Sequence, residues 1–176
     1  MKLTPTPLPE VFVAEAAPQR DARGYFARVF DETVLAAAGM PLAIRQSSVS
    51  FNAKRATLRG MHYQVPPAAE TKLVRCTRGA VFDVAIDLRR NSPTFKRWFG
   101  VELSAENLRG LLVPRGCAHG FITLADASEV LYEIDAPHSP EHARGVRWND
   151  PAFAVSWPLA PAVIAPRDAD YPDFQP

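Results

Sequence analysis

The sequence lacks any marked excess of charge. Its 176 residues carry 20 Lys and Arg against 19 Asp and Glu, so the formal net charge is +1 at pH 7. Such a balance is not typical of proteins that bind nucleic acid or a charged membrane surface. We therefore expect neither partner, and any anion that the protein binds has to be held by a local group of cations.

Long apolar runs and clustered cysteines are also missing. No apolar run approaches the length that spans a membrane, and residues 1–7 hold no apolar signal core, so we predict a cytoplasmic protein. The two cysteines, Cys76 and Cys117, lie far apart and do not have metal-ligand spacing. We predict buried thiols in a reducing compartment in preference to a disulfide.

Several familiar signatures of chemistry are absent. No His-x-His pair occurs among the four histidines, which are His62, His119, His138 and His142. We therefore predict no metal site. A glycine-rich phosphate loop and a nucleophile elbow are missing too. Phosphate binding then falls to side chains, and the best candidates are Arg23, Arg59 and Gln46, because guanidinium forks match phosphate geometry.

Proline, by contrast, is abundant. The chain has 17 prolines, roughly twice the usual ~5% share, and they interrupt helices throughout. Short strand-like segments separated by turn clusters predict an all-β sandwich or barrel, with residues 1–176 as a single domain. The predicted strands cover residues 24–30, 43–51, 57–64, 72–77, 80–88, 98–103, 109–113, 119–124, 129–135 and 145–148.

One helix is predicted over residues 31–38. Asp31 is placed to cap its start, and Gly39 is placed to end it. The tail after Trp157 is rich in Pro and Ala, and we expect it to run over the surface with at most one further short turn.

The segment from Leu58 to Gln64 is the richest in chemistry, since it places Arg59 and His62 in one predicted strand. Strict alternation points these two side chains to opposite faces, but a bulge at Gly60 would bring both to one side. A histidine beside fixed cations suits the removal of a proton from carbon next to a carbonyl on a phosphate-bearing substrate.

Each of the other candidate residues has an ordinary structural role when it is taken singly. Lys72 could be a solvated strand end and His119 a turn histidine. Tyr132 could be a packed core ring, and Asp168 an exposed carboxylate in a polar tail. Polar residues accumulate at matching strand positions, however, and this favours a site over four unrelated roles.

Ordered motifs along nearly the whole chain resemble those of the dTDP-4-dehydrorhamnose 3,5-epimerase family. The matching stretches are residues 21–26, 58–64, 72–74, 81–89, 92–95, 103–107, 118–121, 148–151 and 167–168. The resemblance implies a cupin-like antiparallel jelly-roll barrel with one or two short helices. It also implies a homodimer in which a strand near residues 11–15 adds to the partner's sheet.

The resemblance further implies an enzyme that inverts C3, C5 or both of a nucleotide-diphospho-4-keto-6-deoxyhexose without a cofactor. The favoured reaction converts dTDP-4-dehydro-6-deoxy-D-glucose to dTDP-4-dehydro-L-rhamnose. By this resemblance His62 is the base, Asp168 orients it, Tyr132 is the acid, and Lys72 stabilises the oxyanion. The implied substrate-binding residues are Arg23, Phe26, Arg28, Gln46, Ser48, Arg59, His119 and His138.

Three residues depart from the family pattern. Arg28 replaces the usual Glu, His138 the usual Tyr, and Ser48 the usual Asn. Arg28 can only donate hydrogen bonds, which suits cytosine better than thymine, although it could equally turn to solvent or pair with a phosphate. These departures leave a mono-epimerase on a CDP-linked sugar open as an alternative. A catalytically silent barrel that binds a sugar nucleotide is the alternative from another class, and absence of the base or the acid would favour it.

Overall fold

The computed structural model describes residues 1–175, whose regular secondary structure is mostly β-strand. In chain order the strands are β1 Lys2–Pro5, β2 Phe12–Glu15, β3 Gln19–Asp21, β4 Gly24–Phe26, β5 Gln46–Asn52, β6 Thr57–Gln64, β7 Lys72–Arg78, β8 Ala80–Asp87, β9 Trp98–Ser104, β10 Arg109–Val113, β11 Cys117–Thr123, β12 Ser128–Ile134, β13 Ala143–Gly145 and β14 Val163–Ile164. The helices are α1 Glu32–Ala37 and α2 Pro166–Ala169. Neither helix in this part of the chain is long and apolar enough to cross a membrane.

Two sheets pack against each other and form the predicted jelly roll. The first sheet has the order β1-β2-β10-β7-β12-β5, and the second has the order β13-β6-β11-β8-β9 with β14 added parallel to β6. The other strand pairs are antiparallel, and β3 with β4 forms a separate hairpin. An antiparallel sheet can bury one face against a core and leave the other to solvent, which fits the short alternating segments of the sequence.

The core lies where the central strands of the two sheets meet. Val74 and Val130 from the first sheet pack with Leu103 and Phe121 from the second, and all four are fully buried. Burial of each such side chain contributes about 1.5–3 kcal/mol. Both cysteines lie in this core as free, buried thiols, as the sequence predicted.

Helix α1 covers the outer face of the first sheet. Asp31 caps it, since its Oδ1 atom accepts hydrogen bonds from the backbone N–H groups of Thr33 and Val34. The single buried residue of the helix, Leu35, packs against Leu73 of β7 and other apolar side chains. The predicted helix over residues 31–38 is therefore confirmed to within its caps.

The predicted bulge in β6 is present. His119 of β11 pairs with His62, whereas Phe121, two residues later, pairs with Arg59, so β6 carries one extra residue at this point. Gly60 has a φ of +136°, and a Cβ atom there would lie 2.5 Å from the Cα atom of Gly120. Glycine is required because a side chain has no room and L-residues rarely adopt this conformation.

Four sequence predictions need correction. The strand near residues 11–15 does not add to a partner's sheet, because β2 is hydrogen-bonded on both sides within its own chain, to β1 and β10. A strand paired on both edges has no free backbone groups to offer.

The predicted strand over 24–30 ends at Phe26, and the one over 145–148 is replaced by β13 at Ala143–Gly145. The tail after Trp157 is also not confined to the surface, since Asp168 is buried.

Gly60→Ala tests the close approach of β6 and β11. We expect the free energy of unfolding of this variant to fall by about 1–3 kcal/mol through backbone strain at positive φ. Overpacking against Gly120 should lower it by a further ~1–3 kcal/mol. Gly24→Ala is a matched control, because Gly24 has a φ of +127° with no atom within 4 Å of the added Cβ. Urea unfolding of both variants at one protein concentration measures the difference, and equal losses would contradict the contact.

Candidate active site

A cavity of about 370 Å³ opens at one end of the jelly roll, between β5, β6, β7, β11 and β12. It forms because the inward-facing side chains of these strands are apolar at one end of the strand and polar at the other. On β7, Lys72 lines the cavity while Val74 and Cys76 lie in the core. On β11, His119 lines the cavity and Phe121 lies in the core. Apolar side chains thus close one end of the sandwich, and polar side chains fill the other.

Nine of the twelve predicted site residues line this one cavity. They come from positions spread over more than a hundred residues of sequence: Gln46, Ser48, Arg59, His62, Lys72, His119, Tyr132, His138 and Asp168. The bulge at Gly60 is what brings Arg59 and His62 to the same side of β6.

His62 and Asp168 form a hydrogen-bonded pair. The His62 Nε2 atom lies 2.7 Å from Asp168 Oδ1, and the second carboxylate oxygen accepts the backbone N–H of Gly60 at 3.2 Å. The carboxylate is buried, whereas the imidazole is partly open to the cavity. An ionised carboxylate can only accept hydrogen bonds, so Nε2 carries the proton and Nδ1 remains as the basic nitrogen.

The charge of Asp168 is set by opposing effects. Burial on its own raises the pKa of this carboxyl, because the charged form is poorly solvated. The hydrogen bond and charge of His62, the Gly60 N–H and the nearby Arg167 outweigh burial and hold the pKa of Asp168 below its usual value. The group is therefore ionised at neutral pH.

Tyr132 reaches the cavity from the opposite sheet. It lies on β12 of the first sheet, whereas His62 lies on β6 of the second. Burial raises the pKa of the Tyr132 phenol well above its usual value, with a further increase from Asp83 and a smaller opposing effect from Arg59. The phenol therefore keeps its proton at neutral pH, as a proton donor has to.

A second histidine and carboxylate pair lies behind Tyr132. His119 Nε2 is 2.9 Å from Asp83 Oδ1, and both side chains are buried. The His119 ring meets the ring of Tyr132 edge-on, with centroids 5.9 Å apart. This contact orients both rings against the cavity wall.

Lys72 is held by Glu70, and Arg59 is held by Asn52. Lys72 Nζ lies 2.5 Å from Glu70 Oε1, with both side chains nearly buried. The Nε atom of Arg59 donates to Asn52 Oδ1 at 2.7 Å, which leaves its other N–H groups for an anion. Both cations are therefore fixed before a substrate arrives.

Three predicted residues lie outside the cavity of their own chain. Arg23 pairs with Asp21 on the β3–β4 hairpin, and its side chain is 90% exposed. Phe26 is 70% exposed at the end of the same hairpin. Arg28 donates to Asp31 at 3.3 Å and is also largely exposed.

Sequence reasoning also missed several residues of the cavity wall. These are Ser50, Tyr63, Gln64, Glu70, Ile134, Ala143, Arg144 and Arg167. Two carried a usable signal: Ser50 continues the alternation of Gln46 and Ser48 on β5, and Glu70 stands two residues before Lys72. The two arginines enter from β13 and α2, whose approach to β6 no local pattern indicates.

Within residues 1–175, no group of three or more His, Cys, Asp or Glu side chains is arranged to hold a metal ion. Two histidines of the cavity are instead each paired with one carboxylate, His62 with Asp168 and His119 with Asp83. Such pairing suits proton transfer, because a carboxylate fixes the tautomer and the orientation of the imidazole.

An antiparallel jelly roll with a carboxylate-paired histidine and a facing tyrosine in its open end defines a class of isomerase that moves protons on and off carbon. The family model described as dTDP-4-dehydrorhamnose 3,5-epimerase matches residues 5–176. The chain belongs to the dTDP-4-dehydrorhamnose 3,5-epimerase family.

Individual relatives agree with this assignment. The dTDP-4-dehydrorhamnose 3,5-epimerase of Sinorhizobium fredii is 45% identical over 88% of this chain and 80% of its own length. The crystal structure of the Bacillus anthracis enzyme with TDP and PPi bound is 40% identical, with a TM-score of 0.94 over 98% of this chain and 99% of the other. The Legionella pneumophila enzyme in complex with dTDP-4-keto-L-rhamnose is 35% identical, with a TM-score of 0.88 over 95% and 89%.

Asp168→Asn tests the charge of the buried carboxylate. Since the folded-state pKa of Asp168 is lowered, the ionised group stabilises the fold above the ordinary carboxyl pKa of about 4 and loses this effect as the pH falls through the folded-state value. We expect the free energy of unfolding of the variant to be roughly 1–3 kcal/mol below that of wild type at pH 7. This difference in the free energy of unfolding should narrow below pH ~4. Asp170→Asn, at an exposed carboxylate two residues away, is the control. A gap that stays constant from pH 7 to pH 3 in denaturant unfolding would contradict this assignment.

Proposed function

We propose that this protein inverts C3 and C5 of dTDP-4-dehydro-6-deoxy-D-glucose and so forms dTDP-4-dehydro-L-rhamnose. The observation that carries the proposal is the position of the base and the acid on facing sheets. His62 lies on β6 and Tyr132 on β12, with the cavity between them. A sugar ring held there meets a base on one face and a proton donor on the other, which is what inversion of a carbon requires.

The reaction begins at His62. Its Nδ1 atom takes the proton from the carbon beside the C4 ketone, and the bonding electrons form an enolate with negative charge on the C4 oxygen. Asp168 keeps the proton of the ring on Nε2 and stabilises the imidazolium that results, as in other carboxylate-oriented histidine bases. Tyr132 then gives its phenolic proton to the opposite face of the same carbon.

Lys72 stabilises the enolate. It lines the cavity, and its ammonium is already fixed by Glu70, so it needs no rearrangement when charge develops on the C4 oxygen. Arg59 and His119 line the same cavity and would hold the diphosphate and the sugar, with Gln46, Ser48 and His138 near the nucleotide. The chemistry needs no cofactor, and we place it in one cytoplasmic domain.

A second copy of the chain would complete the site. The β3–β4 hairpin is exposed along its length, with Tyr25 51% and Phe26 70% exposed. Edge strand β5 beside the cavity also exposes Val49 and Phe51. Apolar side chains of this kind mark a surface that another protein covers. In our proposed homodimer, the hairpin of one copy brings Arg23 and Phe26 to the cavity of the other, and Arg28 follows two residues after the hairpin.

The alternative is a mono-epimerase that acts on a CDP-linked sugar, and it rests on Arg28. In its own chain Arg28 lies outside the cavity and pairs with Asp31, so it would meet a base only across a dimer. Incubation with dTDP- and CDP-linked 4-keto-6-deoxyglucose in heavy water distinguishes the alternatives. Deuterium at both C3 and C5 of the dTDP sugar is the expected NMR result, and no deuterium in either substrate would contradict the proposal.

His62→Ala and Tyr132→Phe should separate the two proton transfers. We expect His62→Ala to abolish deuterium exchange at both carbons, a loss of ~10²–10⁴-fold or more, because the other carboxylate-paired histidine is buried. Tyr132→Phe should still admit deuterium while suppressing inversion, since only the donor on the far face is lost. Near-normal exchange in His62→Ala would mean that the base is another group.

Mixed dimers test the contribution of the hairpin. Arg23→Ala and His62→Ala should each be strongly impaired alone. When the two chains are unfolded and refolded together, a mixed dimer contains one site with an intact cavity and an intact hairpin. We expect about a quarter of wild-type activity, because half of the dimers are mixed and half of their sites work. Two copies of either variant refolded together are the controls. No recovery, or a monomer at micromolar concentration in sedimentation, would contradict the shared site.

A further inference from the structure

Lys72 is restrained by the carboxylate of Glu70, which neither takes up nor gives a proton in the mechanism above. The Nζ atom of Lys72 lies 2.5 Å from Glu70 Oε1, and the two side chains are 8% and 11% exposed. A nearly buried ion pair has to recover the cost of removing both charges from water, and it does so only with close, well-directed hydrogen bonds. The position of Glu70 therefore decides where the ammonium sits.

Glu70 is itself fixed by Gln64. The Nε2 atom of Gln64 donates to Glu70 Oε2 at 3.0 Å and to the carbonyl of Ala68 at 2.9 Å. Its Oε1 atom accepts the backbone N–H of Ser139 at 2.6 Å. Gln64 is buried with its polar atoms occupied, so it cannot turn away. Consecutive hydrogen bonds therefore link the backbone of Ser139 to the amide of Gln64, the carboxylate of Glu70 and the ammonium of Lys72, which lines the cavity.

This arrangement makes Glu70 unsuited to proton abstraction. One carboxylate oxygen is committed to Lys72 and the other to Gln64. His62, which has its own carboxylate in Asp168, shows no hydrogen bond to Glu70 in the described part of the chain. A general base needs an oxygen directed at the substrate, and the two oxygens of Glu70 are instead directed at Lys72 and Gln64.

The contact with Glu70 fixes the orientation of the Lys72 ammonium. Lysine carries its charge on a flexible four-carbon stem with three N–H donors. One donor is used by Glu70, and no other protein acceptor for Lys72 is found among residues 1–175. The two remaining donors are available to an oxygen in the cavity, and they are already aimed before charge develops there.

We infer that Glu70 is a positioning residue, which acts through Lys72 to hold the ammonium against the developing oxyanion of the substrate. The inference rests on the proposed function, in which Lys72 stabilises the enolate. Glu70→Gln removes the negative charge and keeps the size of the side chain. Its amide can match only one of the two neighbours, because Gln64 and Lys72 both donate to this position.

A double-mutant cycle tests the inference in the heavy-water assay. Lys72→Met should lower kcat by ~10²–10³-fold, as loss of an oxyanion donor does. Glu70→Gln should lower kcat by about ten- to a hundredfold, the equivalent of one charge-assisted hydrogen bond, with KM changed by less than about twofold. In the Lys72→Met background Glu70→Gln should cause no further loss.

The same cycle can overturn the inference. An equal loss from Glu70→Gln with and without Lys72 would mean that Glu70 acts on its own or only supports the fold. An unchanged kcat in Glu70→Gln would mean that the contact is not used. Glu102→Gln is the control, because Glu102 is an exposed carboxylate on β9, away from the cavity, and should behave as wild type.

A spectroscopic measurement keeps this result separate from the proposed function. The chain has four lysines, Lys2, Lys54, Lys72 and Lys96, so ¹⁵N-lysine labelling gives a simple spectrum in which Lys72→Met identifies one signal. We expect the ammonium protons of Lys72 to exchange with water at least about tenfold faster in Glu70→Gln. Unchanged exchange would overturn the inference. A wild type that incorporates no deuterium would refute the proposed function, and the lysine spectrum would still decide whether Glu70 restrains Lys72.

Discussion

The hydrogen bonds accepted by the carboxylate of Asp168 are the contacts on which the site depends. One oxygen accepts from the His62 ring, and the other accepts the backbone N–H of Gly60. The same side chain therefore fixes the histidine, the bulged strand that carries it and helix α2. Because this carboxylate is buried, leaving it without these partners would cost far more than an exposed contact does. The end of the chain and the centre of β6 are joined here by one ionised group.

The jelly roll explains why His62 and Tyr132 can face each other. Two sheets meet over an apolar core around Val74 and Phe121, and the same strands carry polar residues at the open end. The core holds the sheets at a fixed separation, so His62 and Tyr132 stay on opposite walls of one cavity. Rigid strands position such groups more precisely than loops can. This precision favours a mechanism that uses two faces of one carbon.

Much of the fold and part of the site follow from local patterns. Alternation and turn residues predict β6 at residues 57–64 and β10 at 109–113 with their observed limits, and the cap at Asp31 predicts α1. The bulge at Gly60 is foreseeable because a glycine separates two polar side chains that strict alternation would place on opposite faces. The pairing of residues 11–15 is not foreseeable, because an edge can be covered by its own chain or by another, and the strand sequence is the same in both cases.

The sequence by itself determined the fold class and which residue types could carry the chemistry, because side-chain period, turn residues and capping are local properties. Ordered motifs added the roles of His62, Tyr132, Lys72 and Asp168 by resemblance. Only the tertiary structure decided which partners these groups have. Asp168 meets His62 across 106 residues of chain, and the carboxylate beside Lys72 is Glu70, held in turn by Gln64. Such contacts depend on how strands pair and bulge, and hydrogen bonds between distant residues leave no periodic trace in the sequence.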